Sequence, residues 1–140
     1  MTGAPPEYFE DVVVGRVHQT PGLTLTRGHV IQYLGFGGAW DEATDDRRVP
    51  DLLPLCISSG LGFRLGPPLA VLALMGFEWQ FLRPLYVGDT IRSRSAMVTK
   101  RSLREGGVIV EARDILDQSG EVTQSGRLTL LVAKRPTERP

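Results

Sequence analysis

The second half of the chain limits its possible folds more than any other part. Leu69–Arg83, Asp89–Lys100, Val108–Leu116 and Glu121–Lys134 are four long segments rich in Val, Ile, Leu and Thr. Turn material at Pro84–Gly88, Glu105-Gly106-Gly107 and Asp117–Gly120 separates them, so each reads as a strand. Ile91, Ser93, Ser95 and Met97 alternate with Arg92, Arg94 and Ala96, and Leu128, Leu130 and Val132 keep the same period. That is the pattern of a sheet with one wet face. Short loops joining long strands predict an antiparallel meander, and its apolar face requires a cover.

The cover lies just upstream. Leu52–Phe63 predicts a helix with Asp51 as N-cap and Pro54 in the first turn, where a missing N–H costs little. Leu52, Leu55, Cys56, Ser59 and Phe63 form one stripe, and Leu53, Ile57 and Leu61 fill the next. A helix apolar nearly all round has to be covered nearly all round. Ser58, Ser59, Gly60 and Gly62 would let a sheet approach its backbone closely, and Gly66-Pro67-Pro68 ends the segment.

Further upstream the signals are shorter. Arg16–Thr26 reads as two short strands broken at Pro21-Gly22. Thr24 or Thr26 can cap a helix over Arg27–Phe36 that stops at Gly35, Gly37 and Gly38. Its spacing predicts that Val30, Ile31 and Leu34 are buried, with His29, Tyr33 and Phe36 on another face. Tyr8–Val14 can anchor the start of the chain. Residues 1–6 and 136–140 are expected to be loose tails of a single domain spanning 1–140.

One buried helix followed by a long antiparallel sheet is the α+β arrangement of a hotdog domain, the sheet wrapping the helix. A single such sheet leaves an edge and an apolar face open, so a homodimer is the expected completion. Charge narrows the partners. Lys+Arg and Asp+Glu both number 16, which disfavours nucleic acid and anionic membranes. The longest apolar stretch, Pro67–Phe77, is too short to span a bilayer. Two histidines and one cysteine, well separated, make no zinc spacing. The lone Cys56 fits a reducing compartment, and the start of the chain carries no secretory signal, so the expected setting is cytoplasmic.

Three stretches together resemble the MaoC-like hydratases and dehydratases of the hotdog superfamily. They are Tyr8-Phe9-Glu10-Asp11-Val12-Val13-Val14-Gly15, the helix Leu52–Leu61 ending in Ser59-Gly60-Leu61, and Phe81-Leu82-Arg83-Pro84-Leu85-Tyr86-Val87-Gly88-Asp89-Thr90-Ile91. The resemblance covers nearly the whole chain. It implies an acyl-thioester substrate, possibly linked to coenzyme A or a carrier protein. It also implies no metal or cofactor, and hydration or dehydration by an acid/base pair.

The catalytic motif departs from that family. Its pattern is Gly-Asp-x-Asn-Pro-x-His, the Asp and His acting on water and on the proton beside the thioester carbonyl. Laid on Gly38–Thr44, it puts Ala39 at the Asp, Asp41 at the Asn, Glu42 at the Pro and Thr44 at the His. A two-residue slip brings Asp41 onto the Asp, but Asp46 then stands in place of the histidine. The family's His-Gly at the central helix start is replaced by Pro50-Asp51. A carboxylate there would compete with a developing oxyanion for the free N–H groups of the helix start.

The candidate acid/base residues are therefore Asp51 and Asp41. For Asp51 the plain alternative is a helix cap, and for Glu42, Asp45 and Asp46 it is a solvated loop balanced by Arg47 and Arg48. Candidate substrate-binding residues are Trp40, Tyr33, His29, Leu52, Leu53 and Cys56, although Cys56 and Trp40 also read as packing residues. Three functions follow. The chain is an enzyme acting on an acyl-thioester or polyketide-like substrate by dehydration, hydration, cyclisation or isomerisation. Alternatively it is a non-catalytic subunit of a competent hotdog partner, or a small-molecule binding domain.

Overall fold

The computed structural model describes residues 5–38, 47–62 and 66–137. Its elements are β1 (Val17–Gln19), β2 (Leu23–Thr24), α1 (Arg27–Gly35), α2 (Leu52–Leu61), β3 (Val71–Phe81), β4 (Thr90–Leu103), β5 (Gly106–Leu116) and β6 (Val122–Val132). A short 3-10 turn at Phe9–Asp11 precedes them. The four long strands fall where the turn residues placed them, and all pair antiparallel. The architecture is an α+β hotdog, with α2 lying over β4 and β5.

The strand order corrects the simple meander. β4, β5 and β6 follow one another, but β3 pairs with β6 at the far edge, giving β1-β4-β5-β6-β3, with β2 added beside β4. Loop chemistry explains the difference. A two-residue turn, Arg104-Glu105, closes β4 onto β5 as a tight hairpin. The segment after β3 contains Pro84 and crosses the sheet end instead. The approach to α2 holds it there: Val49 N–H donates to the Leu85 carbonyl and Val87 N–H to the Arg47 carbonyl, both at 2.8 Å.

Two clusters make the core. Leu25, Tyr33, Val49, Leu53, Leu85, Ile91 and Ile115 pack beneath α1 and α2. Phe9, Val12, Ile109, Leu130 and Val132 form the second, where the N-terminal segment closes the other end of the sheet. Phe9 lies on Gly107, where a Cβ would overlap its ring. Lys100 Nζ secures the segment by donating to the carbonyls of Phe9 and Val12 at 3.1 and 2.9 Å.

Neither helix buries everything that the spacing predicts. In α1, Tyr33 is in the core, while Ile31 and Leu34 are exposed. The nine-residue helix carries apolar residues on two sides, and the returning chain selects one: Gly38 N–H bonds the Tyr33 carbonyl at 2.9 Å and folds against the ring. Phe36 meets that ring edge-on at 5.8 Å. In α2, Leu53, Leu55, Ser58 and Leu61 are buried, but Leu52, Cys56, Ser59 and Gly60 are exposed. One sheet covers one side of a helix, so this stripe stays open.

Candidate functional site

The start of α2 is the first place to look for chemistry. Asp51 does not cap the helix: its own backbone is helical (φ −57°, ψ −37°), and its side chain accepts no capping bond. An N-cap needs extended backbone to turn its carboxylate back onto the first N–H groups. The Asp51 carboxylate pairs instead with Arg48 Nη2 at 3.2 Å and is half-exposed, facing a guanidinium and not an apolar pocket. The carboxylate therefore does not occupy the helix-start donors. Backbone hydrogen bonding still ties Asp51 to the sheet, since its carbonyl accepts from Gln124 Nε2 at 2.9 Å. Gln124 Oε1 in turn accepts from Trp79 Nε1 at 2.9 Å. A chain from β3 through β6 thus fixes where α2 begins.

The other predicted site residues separate into three groups. Tyr33 and Leu53 are buried core residues. Leu52 and Cys56 lie together on the open stripe of α2. His29 is engaged in the cap of α1: its Nδ1 accepts from Thr26 N–H at 3.0 Å, while Thr26 Oγ1 accepts from His29 N–H at 3.2 Å. That reciprocal bonding ties the imidazole to the helix start and not to a pocket mouth. Asp41 and Trp40 lie outside the described residues.

Sequence reasoning missed the most polar feature on the helix-facing side. Ile109, Glu111, Arg113 and Ile115 share one face of β5, and both isoleucines are fully buried. Between them Arg113 Nε donates to Glu111 Oε2 at 2.5 Å. Arg113 Nη1 donates to Ser58 Oγ at 3.0 Å and to Ser59 Oγ at 3.2 Å. Both hydroxyls pass their protons to the Leu55 carbonyl. Parity was the available signal: two charges at the inward positions of a strand whose other inward residues are isoleucines.

Next to this cluster the sheet is uncovered. Across the strands, Arg113 lies opposite Gly126 of β6, and Gly126 opposite Trp79 of β3. Phe77 and Phe81 flank Trp79 on the same side and are about half-exposed. Trp79 packs against the core beneath α2, so the exposed aromatic surface on this side is that of Phe77 and Phe81. An open depression of about 460 Å³ spans β3, β6 and β5, lined by Met75, Phe77, Glu78, Val110, Arg127 and Thr129. None of the predicted site residues among the described ones lines it. Among the described residues no group of three or more His, Cys, Asp or Glu could hold a metal ion.

The fold is that of a hotdog protein, and the solved structures it resembles agree. A monoamine oxidase regulatory protein from Archaeoglobus fulgius superposes with a TM-score of 0.84 at 22% identity, over 97% of this chain and 100% of that one. A MaoC-like dehydratase from Rhodospirillum rubrum gives 0.79 at 19% identity, over 93% and 99%. A Mycobacterium tuberculosis protein described as a double hotdog fold gives 0.75 at 21%, over 96% of this chain and 46% of its own. No protein-family model and no curated protein matches the sequence.

Proposed function

We propose that this chain is a MaoC-like hotdog enzyme acting on an acyl-thioester or polyketide-like substrate. Its reaction is dehydration or hydration, or a cyclisation or isomerisation derived from them. The observation that carries this reading is the start of α2. Asp51 brings a solvent-reachable carboxylate there, and the Trp79–Gln124 chain anchors its backbone to the sheet beside the exposed Leu52 and Cys56. In this reading Asp51, with Asp41 from the adjoining loop, replaces the Asp/His dyad and moves protons at the carbon next to the carbonyl and at the leaving or entering water. Trp40, Leu52 and Cys56 wall the substrate. It needs no cofactor, and its substrate hangs from coenzyme A or a carrier protein in a cytoplasmic setting.

The test is an assay of enoyl- and 3-hydroxyacyl-thioesters of graded chain length, followed by the enoyl-thioester absorbance. The Asp51→Asn variant is expected to lose about 100-fold in kcat, the range of a displaced acid/base group, with its melting temperature unchanged. Full activity in that variant removes Asp51 from the mechanism. A second reading has its own observation: among the described residues β3 is an edge strand paired on one side, with apolar side chains on it, which a second hotdog would cover. If the pure chain binds thioesters without turnover and gains activity only with another hotdog chain, it is the non-catalytic half of a pair.

A further inference from the structure

The cap of α1 is built on a titratable ring. In the usual reciprocal cap, a Glu or Gln three residues beyond the capping residue accepts that residue's N–H. Here His29 stands in that position, with Thr26 as the cap. A backbone N–H can only donate, so the 3.0 Å bond from Thr26 N–H requires His29 Nδ1 to carry no proton. Thr26 Oγ1 lies 3.0 Å from the same nitrogen and accepts from the His29 N–H at 3.2 Å. Nothing at this end of the helix offsets an added positive charge. α1 has no acidic residue in its first turn, Arg27 is its charged residue, and Tyr33 stands one turn beyond His29. The segments packed with α1 through Leu25, Val49 and Leu85 bring Arg47, Arg48, Tyr86 and Asp89. Arg48 is paired with Asp51, and the Asp89 carboxylate accepts from Tyr86 N–H and Gln118 Nε2. Among the described residues no carboxylate pairs with His29.

We propose that His29 is an acid-sensitive latch on the first turn of α1, opened when Nδ1 takes up a proton. The acceptor of the Thr26 N–H then becomes a donor, and two N–H groups face each other where one bond stood. The imidazolium also adds to Arg27 at the positive end of the helix, where the macrodipole disfavours cations. A Gln in the same place would hold throughout, because it carries no charge at any pH, whereas imidazole changes charge between about pH 5 and 8. The cap is complete above that range and is lost as the pH falls through it. The effect reaches past the first turn, since α1 carries Tyr33 into the core and ends where Gly38 N–H bonds the Tyr33 carbonyl. From there the chain enters the segment that contains Asp41. The latch works the same way in an enzyme or a binding domain, so it stands apart from the roles given to Asp51 and Asp41.

The experiment measures amide hydrogen exchange of the full chain by NMR at about pH 8 and about pH 5, as protection relative to an unstructured peptide at the same pH. Protection of the Thr26 and His29 amides is expected to be at least about fivefold lower at the acid end, the size of a lost cap. His29→Gln keeps an acceptor that does not titrate and is expected to remove the difference. His18→Gln changes the chain's other histidine, on β1, and is expected to leave it in place. Equal wild-type protection at both pH values, the same fall in His29→Gln, or its disappearance in His18→Gln overturns the proposal. If His29→Gln does not fold, the wild type is titrated alone. The His29 Nδ1 and Thr26 amide resonances are then expected to move with one common midpoint, and separate midpoints overturn the proposal.

Discussion

Gly126 and Trp79 show how one residue sets the geometry of the sheet beneath α2. The two are paired across β6 and β3, and a Cβ at position 126 would overlap the Glu78 carbonyl oxygen and the indole ring. Only glycine lets the indole lie down over the strand and reach Gln124 with its N–H. Gly126→Ala is therefore expected to destabilise the fold by about 2 kcal/mol, since neither the ring nor the strand backbone can move aside freely. Urea denaturation measures it, and a loss below about 0.5 kcal/mol would show that the sheet yields there. The same residue contact lay beyond the reach of the sequence. Gly126 reads as an ordinary weak point inside a strand, because its reason lies on another strand 47 positions away in the chain.

Among the elements, the two ends of the chain meet in a clamp. Arg135 N–H donates to Glu10 Oε2 at 2.9 Å, its guanidinium bonds the Asp11 carboxylate, and Asp11 also accepts from Tyr8 N–H at 3.0 Å. The Arg135 backbone bond holds the Glu10 carboxyl below its ordinary value of 4.5. The Tyr8 backbone bond, then Arg135, hold Asp11 below 3.8. Depressed folded values mean that the folded state favours the ionised forms. Their contribution is complete above about pH 5 and drains away as the pH falls through the folded values, below 4.5 and 3.8. The wild-type melting temperature is expected to exceed that of Arg135→Ala slightly at pH 7, with the gap closing by pH 3. A gap that persists at pH 3 would mean the clamp is not ionic.

The elements also show which parts of the fold local chemistry encodes. Strand identity was readable because alternation and turn residues are local signals. Strand order was not, since the β3–β6 pairing depends on contacts made only after the crossing segment docks against Arg47 and Val49. The α1 N-cap was readable as Thr24 or Thr26, and the fold uses Thr26. The buried face of α1 was not, because Tyr33 is chosen by the chain returning at Gly38. Asp51 has the right residue type for a cap, but its backbone conformation and Arg48 override the preference.

At the scale of the whole molecule, β3 is the strand with the most exposed large apolar residues among those described. Among the described residues β3 has a strand partner on one edge only, and Leu72, Leu74, Met75 and Phe77 are each at least half-exposed along it. The open stripe of α2 adds Leu52 and Cys56. An 11-residue strand spans roughly 36 Å, enough for a continuous ladder with a second copy of itself. Two antiparallel β3 strands related by a two-fold axis present the same edge to each other, which is the requirement for a closed dimer. Such pairing would satisfy the free backbone groups and cover apolar side chains that otherwise invite aggregation. The expected mass in solution at micromolar concentration is twice 15.4 kDa, by light scattering after gel filtration. Leu74→Lys with Phe77→Lys, placing charges on this edge strand, is expected to give monomers with a lower melting temperature. A wild-type monomer, or a double variant that remains dimeric, would remove β3 from the self-interface and leave that edge for a different hotdog chain.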